Sequence, residues 1–281
     1  MVHSPAVAAS RIQQPPKHRP MIPNQDHVDR LKRDPAFAGV SRSLEIYYGN
    51  ASRDAAIDAL YAQFVRPGDL AFDIGSHVGD RIGVFRRIGA RVVALEPQPL
   101  CADVIRALYG DDPAVCLVEG ACGSAIGRLT LHINSANPAV TTASPDFVAA
   151  ADGAGGWEGQ VWDSEVDVAV TTLDALIALH GAPAFVKIDV EGYEANVLDG
   201  LSQPPPALSF EFTTIQRDVA LACLDRLVAL GDYRFDVALG ESQALEFGRW
   251  TTADAMRRHI TLLPDAANSG DVYAVLQPQP A

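Results

Sequence analysis

Four groups of residues combine types and spacings that could do chemistry. The first is Phe72-Asp73-Ile74-Gly75-Ser76-His77-Val78-Gly79-Asp80, where an acidic residue closes an apolar run and glycines follow at 75 and 79. Gly75 permits a tight turn, and Gly79 lets a helix start close to a sheet or a ligand, so a ligand could lie across the end of the run. Asp73 would repel a pyrophosphate there but would suit an ammonium or sulfonium group. The spacing is G-x-x-x-G and departs from the G-x-G-x-x-G of dinucleotide folds, which makes a nicotinamide cofactor a poor match. A plain turn with no ligand would use the same residue types.

The second group is Ala94-Leu95-Glu96-Pro97, which places a carboxylate 23 positions after Asp73. That is where α/β nucleotide folds hold ribose hydroxyls, so Glu96 is the expected ribose ligand. In the third, Glu119-Gly120-Ala121-Cys122-Gly123, backbone amides and apolar side chains could frame an adenine or form only a turn. The fourth is Val186-Lys187-Ile188-Asp189-Val190-Glu191-Gly192-Tyr193-Glu194. On a strand Lys187 and Asp189 share a face, and Glu191 and Glu194 fall in the first turn of a following helix. Glu194 is expected to complement that helix dipole, whereas Asp189 sits where open α/β sheets bind ligands. Asp189 and Glu191 could hold a divalent cation, but no third ligand is evident and no metal is expected.

Positioning these groups requires a parallel sheet with crossover helices. Strands are predicted at Leu70 to Ile74, Arg91 to Leu95, Val115 to Val118, Ala184 to Asp189, Leu208 to Phe212, Tyr233 to Ala238 and Val272 to Leu276. A helix over Asp54 to Val65 leads into the first, and Gly127 to Ile133 alternates as a half-exposed strand in a small antiparallel element. Two irregular stretches, about 134–165 and 240–268, read as insertions, the first as a lid carrying Trp157 and Trp162. Those rings could stack on a sugar, or serve as core. Residues 1–35, rich in proline, read as a flexible tail, with 36–281 as one domain. Such an arm would permit a homodimer. His132 is expected at the surface.

Composition limits the setting. Hydrophobic residues make up 48%, which excludes a wholly disordered chain. Subtracting 35 acidic from 22 basic residues leaves −13, a charge that disfavours nucleic acid and anionic membranes as partners. Cys101, Cys116, Cys122 and Cys223 lack zinc-ligand spacing and read as reduced thiols of a cytoplasmic protein. No run is apolar enough to span a bilayer.

Taken together, Asp73 to Gly79, Leu95-Glu96-Pro97, Glu119 to Gly123, Thr171-Thr172-Leu173-Asp174 and above all Lys187 to Glu194 resemble the FkbM family of S-adenosylmethionine-dependent methyltransferases. The resemblance covers about residues 66–213, with Asp271-Val272-Tyr273-Ala274 similar to the family's closing strand. One departure is Ser76-His77, where the family's first loop is usually Asn- or Ala-rich. The resemblance implies an α/β class I methyltransferase, a Rossmann-like doubly wound seven-stranded sheet of order 3-2-1-4-5-7-6 with an antiparallel last hairpin. It implies S-adenosylmethionine as cofactor, leaving as S-adenosylhomocysteine. The methionine part would lie on Asp73, Gly75, Ser76, His77 and Gly79, the ribose on Glu96 and the adenine near Glu119, Gly120 and Ala121. The implied reaction is O-methylation of a sugar, glycan or polyketide-type hydroxyl. Asp189 is the expected base, with Lys187 orienting it and Glu191 or His77 as substitutes. A nicotinamide-dependent oxidoreductase and an inactive scaffold on the same fold are the alternatives.

Overall fold

The computed structural model describes residues 21–278. In chain order its strands are β1 (Leu70–Ile74), β2 (Arg91–Leu95), β3 (Val115–Val118), β4 (Ala121–Cys122), β5 (Gly127–Ile133), β6 (Ser164–Thr171), β7 (Phe185–Ile188), β8 (Ala207–Thr213), β9 (Tyr233–Leu239) and β10 (Ser269–Leu276). The helices are α1 (Gln25–Arg33), α2 (Ser41–Tyr47), α3 (Ala51–Tyr61), α4 (Asp80–Ile88), α5 (Pro99–Tyr109), α6 (Pro145–Ala151), α7 (Leu173–His180), α8 (Glu194–Asp199), α9 (Arg217–Leu230) and α10 (Ala253–Leu262).

Seven strands form one sheet in the order β3-β2-β1-β7-β8-β10-β9. Numbered among themselves these are 3-2-1-4-5-7-6, the expected order. β1 pairs in parallel with β2 and β7, while β10 runs antiparallel between β8 and β9. Every residue of β1 and β7 is buried, because helices cover both sheet faces. Alternation divides the core. Phe72, Ile74, Val186, Ile188, Leu208 and Phe210 pack on one face, and Ala71, Phe185, Val92, Ala94 and Tyr273 on the other. The second face also carries the register-paired Asp73 and Lys187, so polar side chains enter an otherwise apolar layer there.

Three expectations need correction. The tail does not extend to residue 35: Asn24 caps α1, and Val28 and Leu31 are buried in the main core. Two apolar anchors one helical turn apart were too sparse to show as a period. Residues 1–20 lie outside the described residues. The first irregular stretch holds α6 and its own small core, in which Phe147 meets Trp157 edge-on at 5.1 Å and Trp162 donates to the Val140 carbonyl at 2.9 Å. Trp157 is therefore a buried member of that core, and Trp162 packs half-buried against it. The second stretch contains α10, anchored by buried Met256 and Ile260.

A three-stranded sheet, β4-β6-β5, branches off after β3. Its β5 is the predicted half-exposed strand, but its antiparallel partner β6 went unrecognised although Val166, Val168 and Val170 alternate with polar neighbours along it. His132 on β5 pairs with Glu165 at 3.2 Å. Among the described residues no helix is long and apolar enough to cross a membrane.

Candidate active site

At the carboxyl ends of β1, β2 and β7 the chain opens a cavity of about 1030 Å³, counting space continuous with solvent. Its position follows from two turns that lock together. Gly75, at φ +83°, passes so close to the turn after β7 that a Cβ there would collide with the Asp189 carbonyl oxygen. The Asp189 amide in turn donates to Ile74 at 2.9 Å. Ser76 donates to the Asp73 carbonyl at 2.8 Å, and the amides of Gly75 and Ser76 both donate to Leu95. The β1–α4 loop is thereby held to β2 on one side and to the β7 turn on the other.

Asp73 is buried, and neither carboxylate oxygen has a hydrogen-bond partner. Burial, with like charge on Asp80, pushes its pKa up to about 7. Such a carboxylate lacks a cation or donor, which a sulfonium or ammonium ligand would supply. Glu96 accepts amide hydrogens from His77 and Gln98, each at 2.8 Å. These fix its orientation, yet burial still drives its pKa up to about 8. Donation from ribose hydroxyls would favour its charged form. The His77 ring meets Tyr47 edge-on and the Cys101 sulfur at 3.5 Å; its Nε2 is buried without a partner, and burial holds it below the usual imidazole range.

On the other wall, Lys187 is almost wholly buried and donates to Asp189 at 2.9 Å and to Asp271 on β10 at 2.7 Å. Burial opposes its charge, but the two carboxylates raise it well above the ordinary lysine range. Burial would likewise raise Asp189, and the adjacent Lys187 ammonium more than offsets this, so Asp189 stays below the ordinary carboxylate range. Glu191, at φ +55°, and Glu211 on β8 complete the wall. Burial and the neighbouring Asp189 push both well above the ordinary range. Oxygens of Asp189, Glu191 and Glu211 all lie within 4.8 Å of one another. Glu211 is thus the third acid that was not evident in the sequence, and the trio could hold a hard cation. Glu194 accepts from the amides of Val190 and Gly192, so it closes the turn and stays out of the cavity wall.

Asp73, Gly75, Ser76, His77, Glu96, Ala121, Lys187, Asp189 and Glu191 all line the cavity. Glu119, Gly120 and Gly79 do not. Glu119 turns out to solvent and pairs with Arg106; Gly120 packs against the Ala169 carbonyl of β6; and Gly79 faces Tyr109 of α5. The third strand's contribution is instead Ala121 and Cys122, one step further along the chain. Sequence reasoning also missed Tyr47, Asp80, Arg81, Glu211 and Glu241 in the wall. Of these, Asp80 closed the first group of residues quoted above, and Glu211 carried a signal as a carboxylate between Phe210 and Phe212 at the end of a predicted strand. Seven carboxylates, four of them held towards their neutral form by burial, share the wall with Arg81 and Lys187.

Residues 73–235 match the Methyltransferase FkbM domain. No curated protein matches the chain. Among solved structures it is similar to an O-methyltransferase from Bacillus cereus in complex with SAH, at 14% identity over 92% of this chain and 93% of that one, with a TM-score of 0.43. It is also similar to precorrin-6y C5,15-methyltransferase from Geobacter metallireducens GS-15, at 14% identity over 82% and 90% of the two chains, with a TM-score of 0.40. A TehB-like SAM-dependent methyltransferase from Corynebacterium glutamicum ATCC 13032 shares 10% identity over 90% of this chain and 100% of its own, with a TM-score of 0.41. The domain match spans more than half of the sequence and contains both turns of the cavity: this chain belongs to the FkbM family of methyltransferases, whose methyl donor is S-adenosylmethionine.

Proposed function

We propose that the chain methylates a hydroxyl group on a sugar, glycan or polyketide-type product, with Asp189 as the proton acceptor. The observation that carries this reading is the Lys187–Asp189 contact at 2.9 Å, which keeps a carboxylate ionised in the cavity wall. S-adenosylmethionine, when bound, supplies an electrophilic methyl group. Asp73, Gly75, Ser76 and His77 would hold its methionine part, Glu96 its ribose, and Ala121 with Cys122 its adenine. Alkylation of an unactivated hydroxyl releases a proton, which Asp189 would take as the new carbon–oxygen bond forms. The remaining demand is alignment and exclusion of water, to which the lining residues Pro138, Ala139, Thr141 and Ala143 would contribute.

An amine acceptor is the second reading. It is favoured by the ionised Asp80 and Asp189 and by Glu241, which would attract an ammonium group to the same wall.

Calorimetric titration with S-adenosylmethionine and S-adenosylhomocysteine, with NAD as control, tests the cofactor site. Transfer of a labelled methyl group to a panel of glycosides, macrolactones and aminosugars then identifies the acceptor. Asp189→Asn is expected to keep its cofactor affinity and to lose turnover about 100-fold or more. Unchanged turnover on the compound found by the panel would remove Asp189 from the mechanism.

A further inference from the structure

Lys187 lies on β7 and Asp271 on β10, and β8 runs between them. The lysine side chain must therefore cross a whole strand to reach its second carboxylate. Its register partner on β8 is Ser209, a small, fully buried residue whose hydroxyl makes no hydrogen bond, and Ser209 in turn opposes Tyr273. Asp271 opposes Glu211 in the same antiparallel register, so both acids stand on the sheet face that carries Lys187. A bulkier residue than serine under the lysine stem would obstruct the crossing. The ammonium ends between Asp271 Oδ1 at 2.7 Å and Asp189 Oδ2 at 2.9 Å.

We propose that Asp271 is a positioning residue for the methyl-transfer reaction: it anchors the Lys187 ammonium so that the ammonium orients Asp189 through one carboxylate oxygen. This rests on the reading of Asp189 as proton acceptor. A buried lysine with a single carboxylate partner is held less firmly, and its charged form loses half of its ionic support. The groups acting on Lys187 from its own turn are Asp189 and Glu191. From the packed elements they are Asp271, Glu211, Asp73, Tyr61 of α3 and Arg81 of α4. Among the described residues only Asp271 and Asp189 pair with the ammonium, so without Asp271 nothing on the β10 side fixes where it ends.

The test is Asp271→Asn in the full chain, read three ways. Turnover is followed on the compound that the acceptor panel identifies. Cofactor affinity is measured by calorimetry. Thermal unfolding reports whether the fold is kept. In the variant maximal turnover should fall about tenfold at near-constant cofactor affinity, and Asp271→Glu, which keeps the charge, should recover most of it. Turnover of Asp271→Asn equal to the parent's, or a loss that Asp271→Glu does not recover, overturns the inference. If Asp271→Asn fails to fold, Asp271→Ser is read by the same criteria. Full turnover in Asp189→Asn would instead remove the underlying assignment and the inference with it, whereas loss in Asp189→Asn beside a normal Asp271→Asn defeats the inference alone.

Discussion

Asp189 and Glu96 stand at the ends of β7 and β2, on either side of β1, and burial meets a different answer at each. A lysine beside Asp189 keeps it charged, whereas Glu96 accepts from two amides and is pushed up to about 8 by burial. The difference suits the separate roles proposed for them. A carboxylate that must receive a proton needs to be empty at neutral pH, while one that binds hydroxyls can gain its charge on binding. Glu96 and Asp73, the latter at about 7, are partly protonated in the free protein near neutrality. A sulfonium group beside Asp73 and ribose hydroxyls on Glu96 both favour the charged forms, so cofactor binding should release protons and tighten as pH rises through about 7 to 8. Calorimetry in buffers of differing ionisation enthalpy would count the protons released. Glu96→Ala should weaken binding by about 1–3 kcal/mol and reduce that count; an unaltered dissociation constant would refute the ribose assignment.

At the scale of elements the site is two turns pressed together, and Gly75 is the contact that permits it. Alanine there would adopt a left-handed φ of +83° and drive its methyl into the Asp189 carbonyl. Strain and collision together should cost more than about 2 kcal/mol and displace Asp189 from its lysine. Denaturant unfolding of Gly75→Ala measures the first effect and turnover the second; parental values for both would mean that the two turns move apart freely. These turns were legible in the sequence because each joins a strand to a helix with glycine at the bend. What was illegible depended on contacts between elements. Glu119 had the right place for an adenine contact, but β4 pairs with β6 and turns the chain so that Ala121 and Cys122 reach the cavity instead. Asp271 reaches the Lys187 ammonium only because β10 pairs with β8, a register that spacing along the chain does not encode. Tyr47 arrives from a segment to which no element had been assigned, and Glu241 from one read as an insertion.

For the whole molecule, the buried acids make stability depend on pH in a particular sense. Asp73 and Glu194 titrate at about 7 and Glu96 at about 8 in the folded protein, all raised chiefly by burial. In the unfolded chain such carboxyls lose their protons near about pH 4. Between those limits the folded state binds more protons than the unfolded one. Stability is therefore fully present below about pH 4 for these groups, falls as pH rises and levels off above about pH 8. Glu191 and Glu211, raised further, act in the same direction. Asp80, which burial would raise but Arg81 and Arg53 hold low, and Asp189 act oppositely and set the acid edge. Thermal unfolding of the free protein should accordingly give a higher midpoint near about pH 5 than near about pH 8.5. Added S-adenosylmethionine should narrow the gap, since a bound cation stabilises the charged acids most where they are most costly. A free protein more stable at the alkaline value would mean that the site acids are already ionised and partnered, and the burial argument for a cationic ligand would fail with it.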